Sequence, residues 1–368
     1  MTAAELARIG EELGLDAVGA APAAPYEETE RHIRDRRQRG LFAGMGFTMR
    51  RPEVSCHPET LLPGARTVIS AALCYYTPLP RKGTGKARAR AKTTEGSLRS
   101  PGPMGGPGEG MLARYTWADR YAGLREKLEE LGRRLGGEYR VLVDANDHVD
   151  REGAARAGVG FYGKNTLLIT RRHGSWVVLG TLITDQTVEP SAPLDAGCGS
   201  CTLCIDACPT GALEEPGTLD STRCLSYWTQ APAPVPEPYR AALGALVYGC
   251  DICQDACPWN RGVEKRRAAD APAARAEPTA IEATAFEATV SLVDWLEADG
   301  EELIERYDRL YVPRNDPRWL RRNALVAAGN VGGAAERAVV ERYTRDGDPL
   351  LREHAEWALA RIDERSPG

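Results

Sequence analysis

Long apolar runs are missing from this 368-residue chain. No window holds the ~18 uninterrupted apolar residues of a membrane-spanning helix, which excludes a helical membrane protein. A strong charge excess is missing too: 47 Lys and Arg face 52 Asp and Glu, for a net charge of −5. Any nucleic-acid surface must therefore be a local patch rather than a property of the whole molecule. Histidine is scarce, with five in the chain and none paired at metal-ligand spacing. No G-x-x-x-x-G-K-[ST] occurs, so a P-loop is excluded. The first twenty residues, MTAAELARIGEELGLDAVGA, lack the basic start and solid apolar stretch of a signal peptide, which gives the expectation of a cytoplasmic protein. The 38 glycines and 25 prolines are too few for a low-complexity chain. The length suffices for one large core or two to three smaller ones.

Cysteine is what the chain has in a pattern. Eight of its ten cysteines fall between positions 198 and 257. A disulfide framework belongs to small exported domains, which this chain does not resemble. Cys198-x2-Cys201-x2-Cys204-x3-Cys208-Pro209 has the bacterial ferredoxin spacing, in which the fourth cysteine ligates the other cluster. Cys250-x2-Cys253-x3-Cys257-Pro258 resembles the tail of a second such run. Two cubanes need eight thiolates; the runs supply seven, and Cys224 is the remaining cysteine nearby. The crossed arrangement assigns Cys198, Cys201, Cys204 and Cys257 to one [4Fe-4S] cluster, and Cys208, Cys224, Cys250 and Cys253 to the other. Zinc also accepts four cysteines, but CxxCxxCxxxCP is the more specific pattern. Cys56 and Cys74 read as ordinary buried thiols.

Before the cysteines, apolar periodicity predicts helices over 3–14, 26–39 and 119–135. It predicts strands over 67–75, 140–143, 167–170 and 176–183. Between Arg81 and Arg99 seven Lys/Arg stand against one Glu, so that this stretch is either a solvated linker or a phosphate-contacting arm. APAPVPEP (231–238) is a stiff proline-rich bridge inside the cysteine segment, and the segment around 264–285 reads as a connector. The tail from about Leu292 is helical. In it, Asn315-Asp-Pro-Arg-Trp-Leu-Arg-Arg-Asn-Ala recurs loosely 32 residues on as Gly347-Asp-Pro-Leu-Leu-Arg-Glu-His-Ala, the composition of HEAT-type helical pairs. Arg314, Arg318, Arg321 and Arg322 cluster at the first repeat, as either a solvated face or a nucleic-acid contact. In VDANDHVDREGAARAGVGFYGKNTLLIT (143–170), Asp144 ends an apolar strand beside glycine-rich turns. A carboxylate there can serve as a general acid if its surroundings raise its pKa, although Asp at a strand end is commonly a turn former.

CGSCTLCIDACPTGAL (198–213), RCLSYWT (223–229), YGCDICQDACPWN (248–260), the REGAARAGVGFYGKNTLLI stretch and RWLRRNALVAAGN (318–330) occur together and in order. This combination resembles epoxyqueuosine reductase, and the likeness runs from about Gly40 to Ile362. The resemblance implies an α+β multidomain protein: a nitroreductase-like cobalamin-binding α/β domain (1–190), a ferredoxin-like two-cluster domain (191–265) and a C-terminal HEAT-like α-helical domain (280–368) that helps hold a tRNA anticodon stem-loop. It implies cobalamin and two [4Fe-4S] clusters as cofactors, an external low-potential electron donor and a monomer. Carried over by position, Asp144 matches the proton donor, Arg50 an arginine near the corrin, and Asn165, Leu168, Leu179, Ser226 and Asp251 cobalamin contacts. The family stretch R-Y-x-x-G-x-D-Y-H is replaced here by Arg114-Tyr-Thr-Trp-Ala-Asp-Arg-Tyr-Ala122.

The implied reaction removes an epoxide oxygen as water at the tRNA wobble position, with two electrons and two protons. Clusters deliver single electrons, cobalt uses them against the substrate, and Asp144 protonates the departing oxygen. The chain has no Asp-x-His-x-x-Gly motif to offer a histidine to cobalt. Two other readings share some of these features. A reductive dehalogenase has the same cofactor plan but leaves the helical tail unexplained. A ferredoxin-type electron carrier explains only 198–258.

Overall fold

The computed structural model describes residues 1–77, 106–145, 147–269 and 287–365. The basic stretch 81–99 and most of the 264–285 connector lie outside them. The central sheet runs in the order Ala17–Pro22, Thr67–Cys74, Val177–Thr184, Tyr139–Val143. All three pairings are antiparallel, with Thr67 opposite Thr184, Cys74 opposite Val177 and Val143 opposite Gly180. The α/β expectation for this half of the chain is therefore corrected to α+β.

Every residue of Thr67–Cys74 is buried, because both faces of the sheet are covered. On one face Ile69, Ala71 and Leu73 pack with Leu124, Leu128 and Leu131 of the helix Tyr121–Leu135. On the other, Ala72 and Leu179 pack with Ala154 of the helix Asp150–Arg156, and Val68 with Leu142 and Ile183. Alternate residues of a strand point to opposite faces, so a strand apolar at both parities must be sandwiched. Strand Ala17–Pro22 was not predicted. Its Ala- and Gly-rich sequence carries little β signal, yet smallness is what the site needs: a Cβ on Gly19 would sit 1.9 Å from the carbonyl oxygen of Ala157. The expected 167–170 strand is shortened to Leu168–Ile169, which pairs with Phe161–Tyr162 outside the central sheet.

A second sheet joins the three parts of the chain. Glu109–Leu112 lies between Leu246–Tyr248, to which it is parallel, and Thr289–Ser291, to which it is antiparallel. One strand thus comes from before the cysteine segment, one from within it and one from after it.

The C-terminal part is helical, as the tail pattern predicts. Arg318–Val331 is buried without interruption from Arg322 to Gly329, packed against Leu292–Glu297 and Pro349–Arg365. A helix buried all round belongs to a core rather than to a surface. This corrects the reading of the arginine cluster. Arg322 has no solvent exposure; its guanidinium donates to the carbonyls of Trp228 (2.8 Å), Ala231 (2.6 Å) and Ala233. Arg321 is half-buried and donates to the Ala298 carbonyl at 2.8 Å. Only Arg314 and Arg318 of the four are exposed, and Arg318 pairs with Asp316 and Asp348.

Candidate functional site

The strand Tyr139–Val143 delivers Asp144 to its end, where φ becomes +51°. Asp tolerates the left-handed region better than most residues, and the turn takes its side chain off the strand direction. Arg125, in the first turns of Tyr121–Leu135, donates to the Val143 carbonyl at 2.7 Å. Burial pushes the Asp144 carboxyl above the ordinary aspartate range; Arg125 opposes this and Asp119 adds to it. Desolvation likewise raises Tyr121, with Asp144 as the next contribution. Tyr248, two residues before Cys250, is also raised by burial and feels Asp144. Asp144 itself is exposed.

Several groups here are reached by solvent and yet strongly desolvated. Tyr162 is 43% exposed while burial drives its hydroxyl far up, with Glu152, Arg151, Asp150 and Arg36 around it. Asp150, half-buried, is raised by desolvation too. The segment from Gly40 to Arg50 contributes a further open cavity of about 440 Å³, lined by Arg37, Phe42, Met45, Met49 and Arg50. It is fastened to the cysteine segment: the Ser221 N–H donates to the Leu41 carbonyl at 2.9 Å, and the Gly44 N–H to Tyr227 Oη at 3.2 Å. It also shares a base with the Asp144 loop, since Phe42, Met49 and Val149 pack on Tyr26, Ile33 and Cys56.

The cysteines fall into two groups. Cys198, Cys201, Cys204 and Cys257 line one cavity of about 210 Å³, together with Lys164, Asn165, Ile169, Pro258 and Trp259. Burial first, then Cys257, Cys198 and Cys201, push the Cys204 thiol up to about 11. In the other group burial raises Cys224, Cys250 and Cys253. Cys224 feels Cys208, Cys250 feels Cys224 and Cys208, and Cys253 feels Cys250 and Cys224. Four thiolates gathered in a desolvated pocket repel one another, and cationic iron is what would hold them deprotonated together. Cys56 and Cys74 are buried away from both, as expected of packing thiols.

The remaining predicted contacts are spread out. Arg50 is exposed at the cavity of the 40–50 segment. Ser226 is half-buried and accepts from Gln230 Nε2 at 3.3 Å. Leu168 and Leu179 are buried beneath the helix Asp150–Arg156. Asn165 lies at the first cysteine cavity. Asp251 is 8% exposed, and both its oxygens are engaged inside the protein, by the Arg114 N–H at 2.7 Å and by Gln254 Nε2 at 2.9 Å. Arg114 also bonds Asp255 at 2.7 Å and lies over the Trp176 ring at 4.8 Å. Gln254 accepts from Tyr75 Oη at 3.1 Å and from Ser175 Oγ at 2.9 Å. This network, which the sequence did not reveal, locks the Cys250–Cys257 loop to the end of the central sheet.

Residues 197–260 match a family described as a 4Fe-4S double cluster binding domain, and residues 56–150 match one described as Epoxyqueuosine reductase QueG, DUF1730. The chain is 32% identical over 357 residues to an epoxyqueuosine reductase of Bacillus cereus, covering 95% of this chain and 86% of that protein. Among solved structures it is similar to epoxyqueuosine reductase from Streptococcus thermophilus, with 28% identity and a TM-score of 0.79 over 99% of this chain and 90% of the other. It is similar as well to an epoxyqueuosine reductase solved with a tRNA-Tyr epoxyqueuosine-modified tRNA stem loop, with 28% identity and a TM-score of 0.76 over 98% and 89% of the two chains.

Proposed function

The chain belongs to the epoxyqueuosine reductase family, and on that premise we propose that it reduces epoxyqueuosine to queuosine at the wobble position of tRNA, with Asp144 as proton donor. One observation carries this reading: Cys198, Cys201, Cys204 and Cys257, from both ends of the double-cluster segment, line one cavity, in a chain whose exposed Asp144 has its carboxyl raised by desolvation. Cys198, Cys201, Cys204 and Cys257 hold one [4Fe-4S] cluster, and Cys208, Cys224, Cys250 and Cys253 hold the other.

Cobalamin would sit at the open cavity of the 40–50 segment, with Asp144 toward the substrate, and when bound it supplies the reducing cobalt centre fed by the clusters. Arg50 and Ser226 line its approach, while Leu168 and Leu179 back the helix under it. Asp251 acts by fixing the Cys250–Cys253 loop through Arg114 and Gln254. Desolvation raises the Asp144 carboxyl, which favours its protonated form, and Asp144 would give that proton to the epoxide oxygen as the C–O bond breaks. Two electrons and two protons convert the epoxide to an alkene and water. Arg125, bonded to the Val143 carbonyl, keeps the Asp144 turn in place.

The domain plan that goes with this reading is nitroreductase-like over 1–190, ferredoxin-like over 191–265 and HEAT-like over 280–368. The substrate is the anticodon stem-loop, and Arg314 and Arg318 are surface cations of the helical part suited to phosphate. The protein works as a cytoplasmic monomer with an external low-potential electron donor. No helix among the described residues is long and apolar enough to cross a membrane. The test is nucleoside analysis of tRNA from a strain lacking its epoxyqueuosine reductase. Expression of this chain is expected to replace epoxyqueuosine by queuosine; persistence of epoxyqueuosine with the chain expressed and iron-loaded would refute the assignment.

A further inference from the structure

The turn 163–166 joins the strands Phe161–Tyr162 and Leu168–Ile169 and supplies part of the wall of the cavity lined by Cys198, Cys201, Cys204 and Cys257. Its main chain already serves a cysteine. The Lys164 N–H donates to Cys198 Sγ at 3.4 Å, and Lys164 Nζ ties the turn to the Gly199 carbonyl at 2.8 Å. Asn165 follows in the same wall. Its side chain is 4% exposed, Oδ1 accepts from the Leu167 N–H at 3.3 Å, and Nδ2 has no hydrogen-bond partner among the described residues. Glycine at 163 allows this fold-back, because a Cβ there would sit 2.5 Å from Asn165 Oδ1.

A buried amide donor without an acceptor is costly, so such groups are rare in native proteins unless a ligand completes them. The cavity beside Asn165 is otherwise walled by Lys164, the apolar Ile169, Pro258 and Trp259, and the four cysteines. Sulfur is the acceptor that this wall gathers. Thiolate and sulfide sulfurs of an iron–sulfur cluster accept N–H hydrogen bonds, and such bonds set its reduction potential.

We propose that Asn165 Nδ2 donates an N–H···S hydrogen bond to the cluster held by Cys198, Cys201, Cys204 and Cys257 and, with the Lys164 N–H, raises that cluster's reduction potential. The sign follows from charge. Reduction adds an electron to the cluster, so a donor stabilises the reduced form more than the oxidised one. The inference rests on the cluster assignment proposed above, and it makes Asn165 a cluster-tuning residue rather than a corrin contact.

The test is a redox titration followed by electron paramagnetic resonance, on full-length protein reconstituted anaerobically with iron, sulfide and cobalamin. Asn165→Leu keeps the branched shape and removes the donor; Asn165→Asp removes it and adds negative charge. One of the two cluster potentials should shift negative in Asn165→Leu and further in Asp, with the other potential and the cobalamin affinity unmoved. Unchanged potentials would overturn the proposal, as would weakened cobalamin binding with both potentials unmoved. Should Asn165→Leu fail to hold its cluster, the wild-type residue can be read directly. In Cys224→Ala protein carrying only the first cluster, side-chain ¹⁵N-asparagine should show hyperfine coupling to the reduced cluster; its absence overturns the proposal. Failure of the underlying cluster assignment looks different: wild-type protein would then show fewer than two clusters' worth of iron.

Discussion

Arg322 and His354 stand 32 residues apart, at corresponding positions of the recurring Asp-Pro segments, and both grip the same proline-rich bridge. Arg322 donates to the Ala231 carbonyl at 2.6 Å, while His354 Nε2 accepts the Val235 N–H at 3.2 Å. Asn323 adds bonds to the carbonyls of Thr229 and Val247. The helical tail is thus a clamp on the chain between Cys224 and Cys250, whatever else its surface does.

Arg322→Met should strand three buried carbonyls and lower stability by about 3 kcal/mol or more. Its Tm should fall and cluster iron should be lost more readily. Arg314→Ala with Arg318→Ala should leave Tm nearly unchanged. That double variant should instead weaken tRNA binding and flatten its salt dependence by up to about two contacts, at ~0.7–0.9 log units each. Thermal melts and binding at several salt concentrations separate the two classes; equal effects on both would contradict the division into clamp and surface.

Asp144→Asn should lose most turnover while keeping both clusters and cobalamin. Its stability should not fall. Burial raises the folded carboxyl above its unfolded value, so Asp144 contributes most stability below the ordinary aspartate range, and that contribution is lost as pH rises through the folded value. A neutral amide avoids this, so Tm at pH 7 should be unchanged or higher. A clear drop in Tm would show that Asp144 has a structural role.

Arg125→Met removes the cation that lowers the Asp144 pKa. The acid must be protonated to act, so activity falls as pH rises through that pKa. The falling limb of kcat should therefore move to higher pH in the variant. An unmoved limb would mean that another group is the acid.

Cys224→Ala should drop iron from about eight per chain to about four, because a cubane needs four thiolates and the other cysteines nearby are already assigned. Iron content equal to wild type would sink the count on which the ligand sets rest.

The double-cluster segment was legible in the sequence, because cysteine spacing is a local property of the chain, and the family match over residues 197–260 agrees with it. The buried strand Thr67–Cys74 and the helix Tyr121–Leu135 were legible through their apolar pattern. The three-stranded sheet was not, since Glu109–Leu112, Leu246–Tyr248 and Thr289–Ser291 are short and meet only in the folded chain. Nor was the fate of Arg322: four arginines in nine residues read as a surface until the helix proves to be enclosed. Asp144 was visible at a strand end, but the charged groups that set its acidity, Arg125 and Asp119, come from another part of the chain. Polar networks such as Arg114–Asp251–Gln254–Tyr75 depend on tertiary contact and leave no periodic trace.

The most direct test of the account is conversion of epoxyqueuosine-containing tRNA by the purified chain, reconstituted with iron, sulfide and cobalamin and supplied with a low-potential reductant. Digested tRNA is analysed for queuosine against time. The account predicts conversion by wild-type protein and near-complete loss with Asp144→Asn at equal iron and cobalamin content. Wild-type protein that carries both clusters and cobalamin and yet forms no queuosine, or an Asp144→Asn variant that matches it, would contradict the account.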